Sequence, residues 1–408
     1  MIMIEKKIKE ANELSYSILL YLAFMGLLIG ALVGLVDTIF GRVLIYLSAV
    51  RDANPWYWLP FLGIAGLIIV YLYQKWGAKS SKGMGLIFQV GFEEEDHIPK
   101  RLIPMVILTT WLTHLCGGSA GREGVAVQLG ATVSHWFSRL FHFPNKSRIF
   151  LLTGMAAGFA GLYQTPMAAI LFALEVLVLG NLGLSALVPM TIASFTASLT
   201  SHSLGLEKFA HTLSRTISLT PTVFIQLLIL GLIFGLAGNL FAFLLAWCKQ
   251  VQARLLPNLY RRIFIVGLLL SLLFLVLYQG RYSGLGTNLI SASFSDEKIY
   301  AYDWLLKLFL TVITLAAGFQ GGEVTPLFAI GSSLGVVLAG IFHLPLEFVA
   351  ALGYISVFGS ATNTFLAPIL IGGEVFGYQN LPAYFIAVTF AYVVNRKQSI
   401  YSLQKIRD

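Results

Sequence analysis

Long apolar runs separated by short polar connectors dominate this chain. Several runs exceed or fall short of the roughly 20 residues that span the hydrocarbon core of a bilayer, and glycine interrupts many of them. No alternation typical of a β-barrel is present. The pattern predicts an all-α membrane protein whose helices are tilted, broken or half-spanning. The runs lie near residues 14–40, 57–74, 102–116, 150–180, 182–201, 221–247, 262–279, 304–317, 326–342, 347–371 and 381–394.

Composition supports a membrane-embedded chain. Of the 408 residues, 57% are hydrophobic and 11% are charged, whereas soluble domains carry about 25% charged residues. The two cysteines and seven histidines show no spacing typical of metal ligands or of a redox motif. We therefore expect neither a metal nor a cofactor.

The formal net charge of +8 arises from basic residues gathered at both ends of the chain and in a few connectors. Short basic connectors usually stay on the cytoplasmic side of a membrane. This distribution predicts cytoplasmic segments at 1–13 and 396–408 and a multi-pass protein with both termini inside. A nucleic-acid partner is not expected, because no basic stripe is interleaved with exposed aromatic residues.

The sequence contains an internal repeat. The segment 83–85 returns at 284–286 (284 − 83 = 201), and 121–130 returns at 322–331 with the same offset. A third match relates 170–176 to 369–375. Internal symmetry with glycine-broken apolar segments is typical of transporters built from two repeats, whose substrate site lies at the repeat interface. We expect membrane repeats at 14–202 and 219–395, joined by a connector at 203–218.

One acidic residue lies among glycines within an apolar sequence. Glu123 follows Gly121 and Arg122 and precedes Gly124 and an apolar helical run. A charged side chain at the bilayer centre costs at least about 2.5–3.5 kcal/mol, so such residues usually face a cavity and have a function. Backbone N–H groups at the start of a helix attract anions. Glu123 is therefore a candidate acid that competes with an anion and carries a proton; the alternative is a structural glutamate that caps a helix.

The repeated motifs resemble a known family. Gly-Arg-Glu-Gly-Val at 121–125, Gly-Glu-Val-Thr-Pro at 322–326 and Tyr401 are similar, in order and spacing, to the three anion-lining elements of the CLC family of anion channels and anion/proton antiporters. The resemblance covers nearly the whole chain. It implies a CLC-like fold of two inverted pseudo-symmetric repeats in membrane lipid, and a homodimer with one ion pathway per subunit.

Four departures from the family pattern point to one branch of it. The family motif Gly-Ser-Gly-Ile-Pro reads Gly-Met-Gly-Leu-Ile at 83–87, so Met84 replaces the serine that binds chloride. Val125 replaces a proline, Val176 stands in the place of the internal proton-relay glutamate, and Glu323 replaces an apolar residue. These departures resemble the bacterial fluoride-exporting branch. They imply a fluoride/proton antiporter of the inner membrane, a secondary active transporter and not an enzyme; the alternative is a chloride/proton antiporter or chloride channel of the same family.

Each site role follows from this resemblance and from hydrogen-bond chemistry. Met84 removes a hydroxyl donor suited to chloride, whereas fluoride would be bound by backbone N–H groups and by the hydroxyls of Thr325 and Tyr401. Glu123 would be the gating and proton-coupled acid, with fluoride and protons as its two partners. The predicted anion-binding residues are Met84, Gly85, Gly121, Arg122, Gly124, Val125, Glu323, Val324, Thr325 and Tyr401.

Other polar residues have competing interpretations. Glu323 relays protons or couples the second half-site, or it is a first-turn glutamate of a helix that begins at Pro326. Arg122 neutralises a carboxylate or satisfies backbone carbonyls, or it binds the anion. Glu175 and Glu374 are repeat mates, and we interpret both as structural. Asn288 is expected to cap a helix.

A membrane enzyme is a third class of function. An intramembrane hydrolase needs a nucleophile beside a base. Only Ser119 and His114 lie near each other in an apolar part of the sequence.

Overall fold

The computed structural model describes residues 16–179, 184–295, 297–394 and 398–406. Within these ranges the chain forms seventeen α-helices, which confirms the predicted all-α class. The predicted segment 1–13 and most of the basic residues of 396–408 lie outside the described residues. The helices are α1 Tyr16–Ala53, α2 Pro55–Trp58, α3 Leu62–Leu72, α4 Met84–Gly91, α5 Leu102–Leu115, α6 Glu123–Phe137, α7 Lys146–Tyr163, α8 Pro166–Val176, α9 Leu187–Ser203, α10 Pro221–Leu255, α11 Leu259–Val276, α12 Thr287–Ser293, α13 Asp303–Ala317, α14 Val324–Phe342, α15 Leu346–Thr362, α16 Leu366–Phe376 and α17 Leu381–Val394.

Six helical segments of the described part are long and apolar enough to cross a membrane. They include the 38-residue α1 and the 35-residue α10. Several others, such as the 11-residue α8 and α16, are shorter than a bilayer is thick. Two short parallel strands, β1 Val178–Leu179 and β2 Lys405–Ile406, attach the C-terminal segment beside α8.

Two predicted apolar runs each contain a helix break that hydrophobicity did not reveal. The run 150–180 divides at Gln164, whose φ is 57°, and the run 347–371 divides at Asn363, whose φ is 52°. Left-handed backbone ends an α-helix, and Pro166 then starts the next helix at a position that needs no N–H donor. In each run the break occurs at a single Gln or Asn residue, so the hydrophobic periodicity of the run does not predict it.

Two tightly packed helix pairs hold the centre of the molecule. A Cβ atom added to Gly130 of α6 would lie 2.1 Å from the carbonyl oxygen of Gly154 on α7, and one added to Gly331 of α14 would lie 2.1 Å from that of Gly353 on α15. Only glycine allows backbones to approach this closely. These contacts fix α6 and α14 against their neighbours and so position the two helix N-termini that meet in the core.

The segments that lead into α6 and α14 are bonded to each other. The Gly121 nitrogen donates to the Gly322 oxygen at 2.5 Å, and the Gly322 nitrogen donates to the Gly121 oxygen at 2.7 Å. These two glycines are the residues that the 201-residue offset pairs in the sequence. The N-termini of α6 and α14 therefore converge at one point between the two parts of the chain.

Glu175 and Glu374 make reciprocal contacts with helix starts. The Glu175 carboxylate accepts hydrogen bonds from three backbone nitrogens at the start of α16, those of residues 365–367, at 2.8 to 3.2 Å. The Glu374 carboxylate accepts from the nitrogens of Met167 and Ala168 at the start of α8, at 3.2 and 2.8 Å. Both acids satisfy N–H groups that a helix start leaves without partners, and this geometry agrees with their structural interpretation.

Glu175→Ala is expected to lower stability by about 2 kcal/mol, because a lost cap costs up to about 2 kcal/mol and leaves buried donors unpaired. Thermal unfolding of the detergent-solubilised protein measures the effect. Glu347→Ala, which removes a half-exposed glutamate in the first turn of α15, is the matched control and should change stability little. Equal losses in the two variants would contradict the capping role.

Candidate functional site

The Glu123 carboxylate lies on the start of α14. Glu123 begins α6 and is 1% exposed. Its Oε2 accepts hydrogen bonds from the Thr325 backbone nitrogen at 3.1 Å and from the Thr325 hydroxyl at 2.5 Å. The backbone nitrogen of Arg122 donates a third hydrogen bond to the same oxygen, at 3.3 Å. A carboxylate thus occupies the positive end of a helix from the other part of the chain, which is a position that also suits a free anion.

Arg122 balances this carboxylate without binding it closely. Its Nε lies 3.8 Å from Glu123 Oε1, and the side chain is 11% exposed. Within the described residues, Nε and Nη1 of Arg122 are buried and have no hydrogen-bond acceptor. The arrangement supports charge neutralisation and leaves two N–H donors beside the acid.

A cavity of about 250 Å³ adjoins this helix start. It brings together five of the predicted site residues: Met84, Gly85, Gly124, Glu323 and Tyr401. Six further polar residues on its wall were not among the predicted site residues. These are Ser81, Lys82, Gln128, Lys249, Gln320 and Ser402. Lys82 lies in the connector before α4, and Lys249 lies near the end of α10. In the sequence, the basic residues of these segments predicted only the orientation of the chain in the membrane.

Met84 stands at the first position of α4, directly after Gly83, whose φ of 53° is left-handed. Its partly buried side chain packs against the apolar core and lines the cavity. The position that a serine hydroxyl would occupy therefore carries a thioether, which is soft, polarizable and unable to donate a hydrogen bond.

Tyr401 reaches the cavity because the C-terminal segment folds back against the core. The Ile400 nitrogen donates to the Ala361 oxygen at 2.9 Å. The Tyr401 ring is 6% exposed and packs against Phe88, with ring centroids 5.5 Å apart, and against Phe172, at 6.4 Å. An aromatic residue in a polar tail is thereby buried at the cavity wall.

Glu323 immediately precedes α14, which begins at Val324 and not at Pro326 as predicted. Its side chain makes no capping hydrogen bond to the helix. It is half-buried and lines the cavity, as Lys249 does. A carboxylate oxygen of Glu323 thus lies close to Gly124, whereas the Glu123 carboxylate covers the start of α14.

Not all predicted anion-binding positions present a donor to the cavity. Val125 and Val324 are buried in the core, at 0% and 1% exposure. The nitrogen of Gly121 is bonded to Gly322 and that of Val125 to the Arg122 carbonyl at 3.1 Å. Turn and helix pairing therefore already use part of the 121–125 backbone, which is predicted to serve an anion.

Asn288, Ser119 and His114 do not take the capping or hydrolase roles that the sequence suggested for them. Asn288 does not cap α12: it is the second residue of that helix and donates to the Arg281 oxygen at 2.9 Å. Ser119 bonds to Thr311 at 2.8 Å and to the Lys307 ammonium at 2.9 Å.

Both ring nitrogens of His114 lie near carbonyl oxygens, at 2.9 and 3.0 Å. Because His114 and Ser119 are each bonded elsewhere, they do not form the nucleophile and base that a hydrolase requires.

The sequence profile described as voltage gated chloride channel matches residues 65–396. The chain belongs to the CLC family of voltage-gated chloride channels. Family membership confirms the resemblance and the CLC-like fold, and it identifies the chain as a multi-pass membrane protein of an anion transport family.

Several relatives of the CLC family are similar over most of the chain. A "Chloride/fluoride channel protein" of Pseudomonas syringae pv. tomato is 34% identical over 394 residues, which are 95% of this chain and 86% of the relative. The ClC-type chloride channel ClcB of Salmonella typhimurium is 30% identical over 301 residues, which are 71% of this chain and 72% of that protein. The crystal structure of a CLC-type fluoride/proton antiporter is 57% identical, covers 97% of this chain and 100% of that one, and superimposes with a TM-score of 0.95.

Proposed function

We propose that this protein is a secondary active antiporter that exports fluoride in exchange for protons. The observation that carries the proposal is the Glu123 carboxylate on the N–H and O–H donors of Thr325. The 57% identity to a fluoride/proton antiporter supports the same ion pair. We place the protein in a bacterial inner membrane with both termini in the cytoplasm, as the basic ends of the chain suggest.

Mutual exclusion couples the two ions. When Glu123 is ionised, its carboxylate occupies the donors of Thr325 and no anion can take its place. When Glu123 is protonated, the neutral group loses its attraction to the helix start and can leave. A fluoride ion then accepts the same hydrogen bonds. Replacement of the carboxylate by fluoride therefore requires Glu123 to bind a proton. Glu123 releases that proton when its carboxylate replaces fluoride again.

The cavity supplies selectivity and access. Lys82 and Lys249 on its wall raise the local concentration of anions. Met84 offers no hydroxyl donor, so chloride loses a hydrogen bond at this position. Fluoride compensates for the missing donor by accepting shorter hydrogen bonds from the hydroxyls of Thr325 and Tyr401. Glu323, on the same wall, is the proposed acid that passes a proton to Glu123.

The surrounding architecture follows from the internal repeat. We propose that 14–202 and 219–395 are inverted repeats joined by the connector 203–218. The reciprocal bonds between Gly121 and Gly322 are what such symmetry requires at its axis. A homodimer with one pathway per subunit is proposed on the family resemblance.

Proteoliposomes test the proposed function directly. Vesicles loaded with sodium fluoride and diluted into fluoride-free buffer are expected to take up protons as fluoride leaves, measured with fluoride and pH electrodes. A chloride gradient of equal size should drive much slower uptake. Similarity to the ClC-type chloride channel ClcB of Salmonella typhimurium favours the second candidate, a chloride transporter or channel. Chloride efflux faster than fluoride efflux would establish that candidate and exclude the first.

Thr325→Val is expected to lower the rate of fluoride exchange about tenfold. The hydroxyl donates to the Glu123 carboxylate, and it is a proposed donor to fluoride once the carboxylate has left. A hydrogen bond to a charged group contributes about 1.5–3 kcal/mol, and 1.4 kcal/mol is a factor of ten. Thr325→Ser retains the hydroxyl and is the control. A fluoride exchange rate that is unchanged in Thr325→Val would show that the hydroxyl does not bind fluoride.

A further inference from the structure

One fully buried lysine has no part in the exchange of fluoride for protons as proposed. Lys307 belongs to α13 and is 0% exposed. Its side-chain nitrogen donates to the Ser119 hydroxyl oxygen at 2.9 Å and to the carbonyl oxygens of Gly284 at 2.8 Å and Tyr282 at 3.2 Å. A charged side chain inside a membrane protein is costly and usually has a function. Lys307 joins two separate turns, one before α6 and one before α12.

The hydrogens of this cluster can be assigned by counting donors. The Thr311 hydroxyl donates to the Lys307 carbonyl oxygen at 2.7 Å, so its oxygen accepts the Ser119 hydroxyl hydrogen at 2.8 Å. The Ser119 oxygen is then free to accept from Lys307. The three acceptors of the side chain match the three N–H donors of an ammonium group. No carboxylate lies within hydrogen-bond distance of Lys307 in the part of the chain that the structure describes, so neutral groups of the two turns hold the charge.

The turn that contains Ser119 leads to the gating acid. Residues 119–121, which we call the strap, are followed two positions later by Glu123. The nitrogen of the second strap residue donates to the Gly284 oxygen at 3.2 Å, and the same oxygen accepts from Lys307. The third strap residue is bonded to the segment before α14 at 2.5 and 2.7 Å. Lys307 therefore bonds the first strap residue directly and also bonds the carbonyl that holds the second.

The internal repeat provides no counterpart to this lysine. The 201-residue offset pairs Lys307 with Val106 (307 − 201 = 106), whose side chain cannot donate a hydrogen bond. The same offset pairs Glu123 with Val324 (123 + 201 = 324). A bond that the fold alone required would be expected in both parts of the chain, as the exchanged caps of α8 and α16 are. Lys307 instead serves the one strap that leads to an acid.

We propose that Lys307 is a positioning residue for Glu123. Its ammonium group fixes the strap against the turn before α12, and the strap determines where α6 begins, so that Glu123 meets the start of α14 in one position. This role rests on the proposed function, in which the ionised acid must fill the anion position completely. A strap that moves lets the acid leave without a proton, and fluoride then passes without one.

Lys307→Met tests this role, because methionine has a similar length but neither a charge nor an N–H donor. We expect fluoride-driven proton uptake to slow about tenfold, since displacement of a reacting group by about 1 Å can cost about 10²-fold in rate. Fluoride efflux should fall less, so the fluoride-to-proton flux ratio rises in proteoliposomes. Partial unfolding lowers both fluxes equally and leaves the ratio unchanged. The control is Thr314→Val, which removes a fully buried hydroxyl from the same helix and should not change the ratio.

Hydrogen exchange of backbone amides, measured by mass spectrometry, tests the strap without transport. In Lys307→Met the peptide that contains residues 118–124 should exchange faster than in the wild type, whereas a peptide from α17 should exchange as before. If the wild type does not couple fluoride to protons, the proposed function fails. Faster hydrogen exchange of the strap peptide then still upholds Lys307 as the residue that holds the strap, and unchanged exchange overturns it.

Where the wild type does couple the two ions, the flux ratio decides. Unchanged fluxes in Lys307→Met overturn the proposal, and slower transport at an unchanged ratio also overturns it by leaving Lys307 a structural role only. If Lys307→Met does not fold, Ser119→Ala decides, because it removes one acceptor of the ammonium group and keeps the charge. A raised ratio in Ser119→Ala supports the positioning role, and an unchanged ratio contradicts it.

Discussion

Glu123→Gln should abolish fluoride-driven proton uptake, with a loss of roughly hundredfold or more, since removing a proton-transferring side chain typically costs 10²–10⁴-fold. Glutamine has nearly the same size, and its side-chain oxygen can still accept hydrogen bonds from Thr325. It neither ionises nor carries a proton, so the charge change that drives the exchange is absent. Simultaneous recordings with fluoride and pH electrodes in proteoliposomes measure the ratio of the two fluxes.

The control for this variant is Glu207→Gln, which neutralises an exposed acid of the connector and should leave coupling intact. Fluoride and proton fluxes that stay fully coupled in Glu123→Gln would remove Glu123 from the mechanism. Coupling would then have to come from another acid, of which Glu323 is the one that faces the cavity.

Met84→Ser is expected to raise chloride transport about tenfold relative to fluoride, because one hydrogen bond to an ion contributes about 1.5–3 kcal/mol and 1.4 kcal/mol is a factor of ten. The serine hydroxyl would project from the start of α4 at the cavity wall, where the thioether now lies. Initial efflux rates of the two halides from matched vesicles give the ratio.

Met84→Leu separates the chemical effect from the change in volume. Leucine fills similar space and adds no donor, so its halide ratio should stay near that of the wild type. A ratio that changes as much in Met84→Leu as in Met84→Ser would show that cavity size, and not the hydroxyl, controls selectivity at this position.

The sequence was sufficient to predict the residues that gather at the α6 and α14 starts. Glu123 was identifiable because a charge among glycines in an apolar run has few structural explanations. The 201-residue offset predicted that 121–130 and 322–331 are equivalent, and their glycines are bonded to each other in the fold. Periodicity and repetition are properties of the sequence itself, so no three-dimensional information was needed for them.

Other parts of the site depend on contacts that the sequence does not encode locally. Tyr401 reaches the cavity only because the C-terminal segment folds back on the core, where the Ile400 nitrogen donates to the Ala361 oxygen. The helix breaks at Gln164 and Asn363 depend on backbone conformation. The Gly121 nitrogen donates to the Gly322 oxygen, a contact that is visible only when both segments are placed.

The exchanged caps of Glu175 and Glu374 have a consequence for how the two parts of the chain hold together. Each acid supplies hydrogen-bond acceptors to a helix in the other part of the molecule, and the two contacts are equivalent. Two identical chains related by a two-fold axis make contacts of this kind, in which the same residue serves on both sides. Separating the two parts of the chain would therefore expose both helix starts at once.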